Sequence, residues 1–323
     1  MIDKKTVFVL GAGASCPYGY PSGSQLREDI CLRFKNRYIE YLNSAEPNYG
    51  AREDKISIVD HFAKTFLKSR IQSIDLFLAN NRRLASTGKY IIAFEILEIE
   101  NKSHSLEQSY QLQQDWYLYL FNRFIRGITT GDRLPDFSNG KIGFITFNYD
   151  RSLENLLYES LRNSFNDIPE HEIYRCLKSI EIIHVYGQIA PLQWQNQADY
   201  VGYGTPLNEA LLKKISCNIK TIYEEEKTSA LEDAHDMLEA AERVFFLGFG
   251  YAPENMEILK LPRIISKTSK FYGTAFGLES REIQDIFKRV HDGLQQGSHL
   301  KINPHEIKLE KEMDCLKLLR NYF

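Results

Sequence analysis

Three polar side chains lie at or just beyond the ends of apolar runs of the sequence, where they could take part in catalysis. Asn148 and Asp150 come directly after the run 142–147, and His184 stands near the end of the run 180–186. An asparagine can hold a hydroxyl group or a water in place, and a histidine with a pKa near ~6.5 can act as a general base. Taken singly, an asparagine after a strand is usually a turn or cap residue, and a lone histidine in an apolar strand is usually a core residue.

A glycine-rich turn, GAGAS, follows the first apolar run, 6–10. Glycines lack a Cβ atom, so the phosphates of a ligand can approach the backbone closely, although short glycine turns also occur for packing alone. The turn is not a dehydrogenase fingerprint, because Cys16 stands where the GxGxxG motif has its third glycine, and no acidic residue ends a second strand about 20 residues later. The predicted ligand-binding residues of the turn are Gly11, Ala12, Gly13 and Ser15, and the N–H groups of Ala14 and Ser15 are expected to face the phosphates.

Short apolar runs separated by helical patterns predict an α/β fold with a Rossmann-like parallel sheet. The runs lie at 6–10, 142–147, 180–186, 243–247 and 270–273, with a short strand near 300–302 and a last helix over 305–319. Ligands bind at the carboxyl ends of the strands in open sheets of this class. The later strand ends add four predicted ligand-binding residues: Gly248, Gly250, Gly273 and Thr274.

The segment 36–137 repeats apolar residues at helical spacing and contains no convincing strand. We therefore expect a helical module inserted after the first strand and turn. The flanking segments, 1–35 and 138–323, would together form the Rossmann-like ligand-binding domain.

Composition excludes several classes of protein. The chain has 323 residues, 43% of them hydrophobic and 26% charged, which is typical of globular proteins, and its net charge of −3 gives no general attraction to nucleic acid. The five cysteines are scattered and form no CxxC pair, which argues against a disulfide framework and a four-cysteine zinc site. We expect no metal, a cytoplasmic location and no membrane span, since no stretch approaches about 20 apolar residues.

The motifs, in their order along the chain, resemble the sirtuin superfamily in its bacterial sirtuin-like branch. The turn 11–15 resembles the phosphate turn, and TFNYD at 146–150 resembles the family's Asn-x-Asp element. HVYG at 184–187 resembles the histidine–glycine element, with two residues between where sirtuins have none. The glycines at 248 and 250 resemble the later turn that holds the ribose of the cofactor.

The resemblance implies that NAD⁺ binds across the sheet and that the bond between C1′ and nicotinamide breaks through an oxocarbenium-like transition state. His184 would be the base toward a ribose hydroxyl or a water, and Asn148 would hold that hydroxyl or water. Asp150 would hydrogen-bond the leaving carboxamide, while Ser15 and the amides of the turn would bind pyrophosphate.

Two departures from the family decide the expected reaction. No segment is recognised that would supply the groove in which sirtuins bind an acyl-lysine peptide, and the paired cysteines are missing. Deacylating sirtuins carry paired zinc-binding cysteines shortly after the histidine element, whereas here that stretch offers only Cys217. Water is then the default acceptor, which predicts an NAD⁺ hydrolase releasing nicotinamide and ADP-ribose. A protein deacylase or ADP-ribosyltransferase, and a catalytically silent sensor of NAD⁺ or ADP-ribose, are the alternatives.

The resemblance extends to bacterial anti-phage effectors that deplete NAD⁺ once a partner or signal activates them. It implies a homo-oligomer, and some such proteins work with a co-encoded hexameric DNA-translocating ATPase. The sequence contains no direct sign of that partner or of nucleic-acid binding.

Overall fold

The computed structural model describes residues 3–103, 113–128, 133–225, 229–261, 270–297 and 307–323. Its six strands form one sheet in the order β3-β2-β1-β4-β5-β6, and every pairing is parallel. The predicted Rossmann-like α/β fold is therefore confirmed. The strands are β1 (Thr6–Leu10), β2 (Ile142–Thr146), β3 (Glu181–His184), β4 (Arg243–Leu247), β5 (Lys270–Thr274) and β6 (Ile307–Glu310).

The central strands are apolar throughout because both faces of the sheet are covered. Side chains alternate along β1, so that Val7 and Val9 face one side and Phe8 faces the other. We call these the first face and the second face. On the second face the ring of Phe8 stacks between those of Phe144 and Phe245, with centroids 5.2 and 5.6 Å away.

The order of the strands places a crevice at the centre of the sheet. The chain moves outward from β1 through β2 to β3, then returns to the other side of β1 and continues through β4, β5 and β6. Ligands of open α/β sheets bind at such a switch point, beyond the carboxyl ends of the strands. Here the switch point lies between Leu10 and Leu247, which are paired across β1 and β4.

Helices cover both faces. The first face packs against α2 to α6, α10, α12, α13 and α14, and the second against α7, α8, α9 and α15. The helices are α1 (Ala12–Ser15), α2 (Gly23–Glu28), α3 (Phe34–Ala45), α4 (Tyr49–Ser69), α5 (Ile74–Asn80), α6 (Ala85–Ser103), α7 (Trp116–Phe124), α8 (Ser152–Ser164), α9 (Glu170–Lys178), α10 (Glu209–Ser216), α11 (Ile222–Glu225), α12 (Ser229–Glu239), α13 (Pro253–Ile258), α14 (Ser280–Gly297) and α15 (Cys315–Tyr322). No helix in the described ranges is both long enough and apolar enough to cross a membrane.

The helical segment between β1 and β2 reaches both faces of the sheet. Helices α3 to α6 pack on the first face, whereas α7 packs on the second face with Trp116 fully buried. The segment therefore contributes to both layers of the fold. The domain boundaries given above stay a prediction.

The end of the chain differs from its prediction. The strand expected near 300–302 falls outside the described residues, and β6 occupies part of the helix predicted over 305–319. In β6 the side chain of Ile307 is buried while that of Lys308 is exposed, which is the alternation of a strand. Helix α15 begins only after Asp314, whose carboxylate caps it by accepting from the Lys317 N–H at 2.8 Å.

A buried ion pair ties the helical segment to the turn after β2. Arg151 and Glu100 of α6 have fully buried side chains, and the guanidinium donates to both carboxylate oxygens at 3.0 and 2.8 Å. The same guanidinium donates to the carbonyl of Val201 at 2.6 Å and to that of Gly202 at 3.1 Å. A buried charge needs such partners, because removing one of them leaves the other desolvated and unpaired.

We expect Glu100→Ala to lower the free energy of unfolding by roughly 3–5 kcal/mol, the usual cost of stranding one member of a buried pair. Urea unfolding measures this loss. The matched control is Glu28→Ala, which breaks an ion pair with Arg33 on the surface and should leave stability close to that of the parent. Equal losses in the two variants would contradict the importance of the buried pair.

Candidate functional site

The turns after β1 and β4 touch each other through their backbones. Gly13 N–H donates to Gly248 O at 3.0 Å, and Gly11 N–H donates to Leu247 O at 3.0 Å. A Cβ on Gly11 would lie 2.6 Å from Gly248 O, and one on Gly13 would lie 2.9 Å from Gly248 Cα. Packing between the two turns is therefore sufficient reason for these glycines.

The first turn keeps one backbone donor for a ligand. Gly11 is the N-cap residue of helix α1, and the N–H of Ala14 donates back to Gly11 O at 2.9 Å. The N–H of Gly13 is used by Gly248, whereas that of Ala12 donates to no described residue. Of these three amides, only that of Ala12 remains for an anion, and the side chain of Ser15 is buried.

Asn148 joins the turn after β2 to the turn after β1. Its Nδ2 donates to Gly11 O at 3.1 Å and to Ser15 Oγ at 3.0 Å. A carbonyl oxygen only accepts, so the amide nitrogen must face Gly11 and Oδ1 must point away from it. Oδ1 accepts no hydrogen bond from the described residues and is not fully buried, so it can accept one from a ligand.

Asp150 belongs to the same buried polar network. Its Oδ1 accepts from Ser152 N–H at 3.1 Å and from Ser152 Oγ at 2.5 Å, and the hydroxyls of Ser152 and Tyr117 are 2.9 Å apart. Burial raises the pKa of Asp150, and hydrogen bonds from Ser152 and Ser15 offset only part of that effect. Burial thus makes the charged form of this carboxyl less favourable than it is in water.

His184 lies behind Asn148 and contacts its backbone. Its Nδ1 is 3.0 Å from Asn148 O, and its Nε2 is 2.5 Å from Oε1 of Glu154 in the first turn of α8. Burial by itself lowers the pKa of His184. The Glu154 carboxylate, the Asn148 carbonyl and Asp150 raise it by more than burial lowers it, so the pKa lies above its ordinary value. Both ring nitrogens are therefore engaged within the protein.

The predicted residues after β4 and at the end of β5 differ in what they contact. Thr274 Oγ1 accepts from Gly248 N–H at 2.9 Å and so holds the turn after β4. Gly273 makes room for the hydroxyl of Tyr251, which would lie 2.0 Å from a Cβ there. Gly250 is exposed, and a Cβ at that position would have no atom within 4 Å. Gly248 thus contacts the first turn directly and Thr274 contacts Gly248, while Gly250 faces open space.

Sequence reasoning missed an aromatic cover over the first turn. Trp116 Nε1 donates to Ala14 O at 2.8 Å, and the rings of Tyr18 and Tyr117 stack with centroids 4.0 Å apart. The contacting residues Ala14 and Trp116 are 102 positions apart, so no local pattern announces them. Glu154 was also missed, although a charged residue next to Leu153 on the apolar side of a predicted helix was a usable signal.

Two cavities lie away from this edge. Cavities of about 980 and 510 Å³ are lined by residues 133–138 with 167–179 and by α14 with β6, and neither includes a predicted site residue. Within the described part of the chain, no group of three or more His, Cys, Asp or Glu side chains is placed to hold a metal ion.

Neither the protein-family models nor the curated proteins include a match to this chain. The likeness to sirtuins therefore depends on the motifs and on their order in the sequence. The geometry adds that the motifs at 11–15, 146–150 and 248–250 meet at one edge of the sheet.

We expect Gly248→Ala to lower the free energy of unfolding by roughly 2–4 kcal/mol, since it adds a left-handed backbone strain and an overpacked contact. The φ of Gly248 is +57°, and a Cβ there would lie 2.0 Å from Ala14 N. Gly250→Ala is the control, because its Cβ meets open space. Thermal unfolding of both variants measures the difference, and a Gly248→Ala protein as stable as the control contradicts the close contact.

The raised pKa of His184 predicts a pH dependence of stability. Its contribution is complete below the unfolded-state pKa of about 6.5 and is lost as the pH rises through the higher pKa of the folded state. Glu154→Gln removes the carboxylate that raises this pKa and should flatten the loss. Melting temperatures of both proteins between about pH 6 and pH 9 test this, and parallel curves would speak against the charged pair.

Proposed function

We propose that the chain binds NAD⁺ at the carboxyl edge of the sheet and hydrolyses it to nicotinamide and ADP-ribose. One observation carries the proposal: Asn148 donates to both Gly11 O and Ser15 Oγ. The Asn-x-Asp element and the glycine turn, which are distant in sequence, thereby share one hydrogen-bonded centre at the switch point of the sheet.

The residues at this edge suit the polar parts of the substrate. The N–H of Ala12 at the start of α1 would donate to pyrophosphate, and Asn148 Oδ1 would accept from a ribose hydroxyl or from the attacking water. Asp150 would hydrogen-bond the carboxamide of the leaving nicotinamide. Nicotinamide leaves C1′ with the electron pair of the broken bond, the water oxygen bonds to C1′, and one proton is released.

The hydrogen bonds of His184 limit the part that it can take in the reaction. A general base requires a lone pair directed at the proton it removes, and both nitrogens of His184 are hydrogen-bonded to Asn148 O and Glu154. The predicted base role therefore requires Nε2 to exchange Glu154 for the substrate. Without that exchange, His184 serves the reaction by holding Asn148.

A catalytically silent subunit that binds NAD⁺ or ADP-ribose is the second candidate. The engagement of both His184 nitrogens, together with the burial of Ser15 and Asp150, favours it. No contact among the described residues favours a deacylase or an ADP-ribosyltransferase. Four further parts of the proposal are based on the resemblance alone: the anti-phage role, the homo-oligomer, the cytoplasmic location and the ATPase partner.

We expect Asn148→Ala and His184→Ala each to lower nicotinamide release from NAD⁺ by about 10²–10⁴-fold, the range for losing a positioned group or an acid–base residue. The double variant should be scarcely slower than either single one, because the two residues act as a unit. Nicotinamide release and thermal unfolding are measured on the same samples, with Asn163→Ala on the surface of α8 as the control.

Two results separate the candidate functions. A folded Asn148→Ala protein that hydrolyses NAD⁺ at the parent rate would remove Asn148 from the reaction. A parent protein that is stabilised by ADP-ribose but releases no nicotinamide would instead identify the silent subunit.

A further inference from the structure

Glu154 reaches from α8 to the end of β3 beneath the candidate site. Its side chain is 2% exposed, and that of its partner His184 is 7% exposed. Among the described residues, the imidazole of His184 is the group that its Oε1 contacts. A carboxylate is not buried to this degree without a partner that favours its charge, so the contact with His184 is the reason it is tolerated there.

The hydrogen-bond partners of His184 fix where its protons are. Asn148 O can only accept, so Nδ1 carries a hydrogen. A second proton lies between Nε2 and Oε1 of Glu154, because two acceptors at 2.5 Å would repel each other. In either placement of that proton, the Nε2 lone pair is not free.

The pair of Glu154 and His184 holds the backbone of Asn148, because Nδ1 of His184 donates to Asn148 O. The side chain of Asn148 is held separately by Gly11 O and Ser15 Oγ. With both ends of the residue fixed, Oδ1 has one direction in which to accept a hydrogen bond. An imidazole that had lost Glu154 could turn about its own bond and release the Asn148 carbonyl.

The pair also matters for charge. The groups that face His184 are Glu154 from α8 and, from the turn after β2, Asp150 and the Asn148 carbonyl. Glu154 is the carboxylate nearest to the imidazole, so it offsets the charge of a protonated ring.

We infer that Glu154 is a positioning residue for the hydrolysis of NAD⁺, acting through His184 to hold Asn148 in its working orientation. This inference rests on the proposed function.

The test compares Glu154→Ala, which removes the contact, with Glu154→Gln, which keeps a hydrogen-bonding side chain of the same shape. Glu159→Ala, on a less buried part of the same helix, is the control. We expect Glu154→Ala to lower kcat by roughly 10–100-fold and to leave KM for NAD⁺ within about twofold, because the substrate is still bound but Asn148 is misplaced. Glu154→Gln should keep kcat within about threefold, since its amide can still donate to Nε2 and hold the ring.

A nitrogen-detected NMR spectrum of the imidazole gives a readout that does not depend on turnover. In the parent protein we expect both His184 nitrogens to carry protons at neutral pH, and in Glu154→Gln we expect the His184 pKa to fall while Nδ1 stays protonated. If Glu154→Ala does not fold, this spectrum and the kcat of Glu154→Gln decide the question.

Three outcomes overturn the inference: a Glu154→Ala protein with the parent kcat, a Glu154→Gln protein as slow as Glu154→Ala, or an ordinary His184 titration in the parent. The second outcome would mean that the reaction needs the charge or a proton transfer rather than the position. A parent protein that releases no nicotinamide rejects the proposed function itself, and the imidazole spectrum then still shows whether the pair with Glu154 exists.

Discussion

The fold depends on the burial of four consecutive side chains, 148–151, in the turn after β2. Each hydrogen-bonds to a different part of the chain, and each would carry a desolvation cost without its partner. The partners are, in order, Gly11 with Ser15, Asp75 of α5, Ser152, and Glu100 of α6. The turn therefore holds together the first turn, the start of α8 and two helices of the segment inserted between β1 and β2.

The same contacts tie the helices between β1 and β2 to the candidate site. Asp75 and Glu100 bind Tyr149 and Arg151, the two residues that alternate in sequence with Asn148 and Asp150. Residues of the site and residues that anchor the helices therefore alternate along the turn 148–151. The position of Asn148 is thus a consequence of packing on both sides of the sheet.

The sequence predicted the parts of the fold that are marked locally. The strands 6–10 and 243–247 were located to the residue, because fully buried apolar runs end at glycines there. The four residues of β6 were missed because so short an alternation also fits a helix, and the contacts of Trp116 and Glu154 were missed because they join distant segments. The sequence could not show whether the glycine turn binds a phosphate or packs against another backbone, because both require the absence of a Cβ atom. Close packing against Gly248 is by itself enough to require these glycines. The structural support for a bound nucleotide therefore comes from the unused N–H of Ala12 and from Oδ1 of Asn148.

The charges around the turn decide what kind of group this edge can accept. Arg151 is matched by Glu100 and His184 by Glu154, so two carboxylates are neutralised within the protein. Asp150 contacts hydroxyl and amide donors instead, and burial raises its pKa. A buried carboxyl that already accepts hydroxyl and amide hydrogen bonds suits an uncharged polar group such as a carboxamide better than an anion, which agrees with the proposed assignment of Asp150 to the nicotinamide end of NAD⁺.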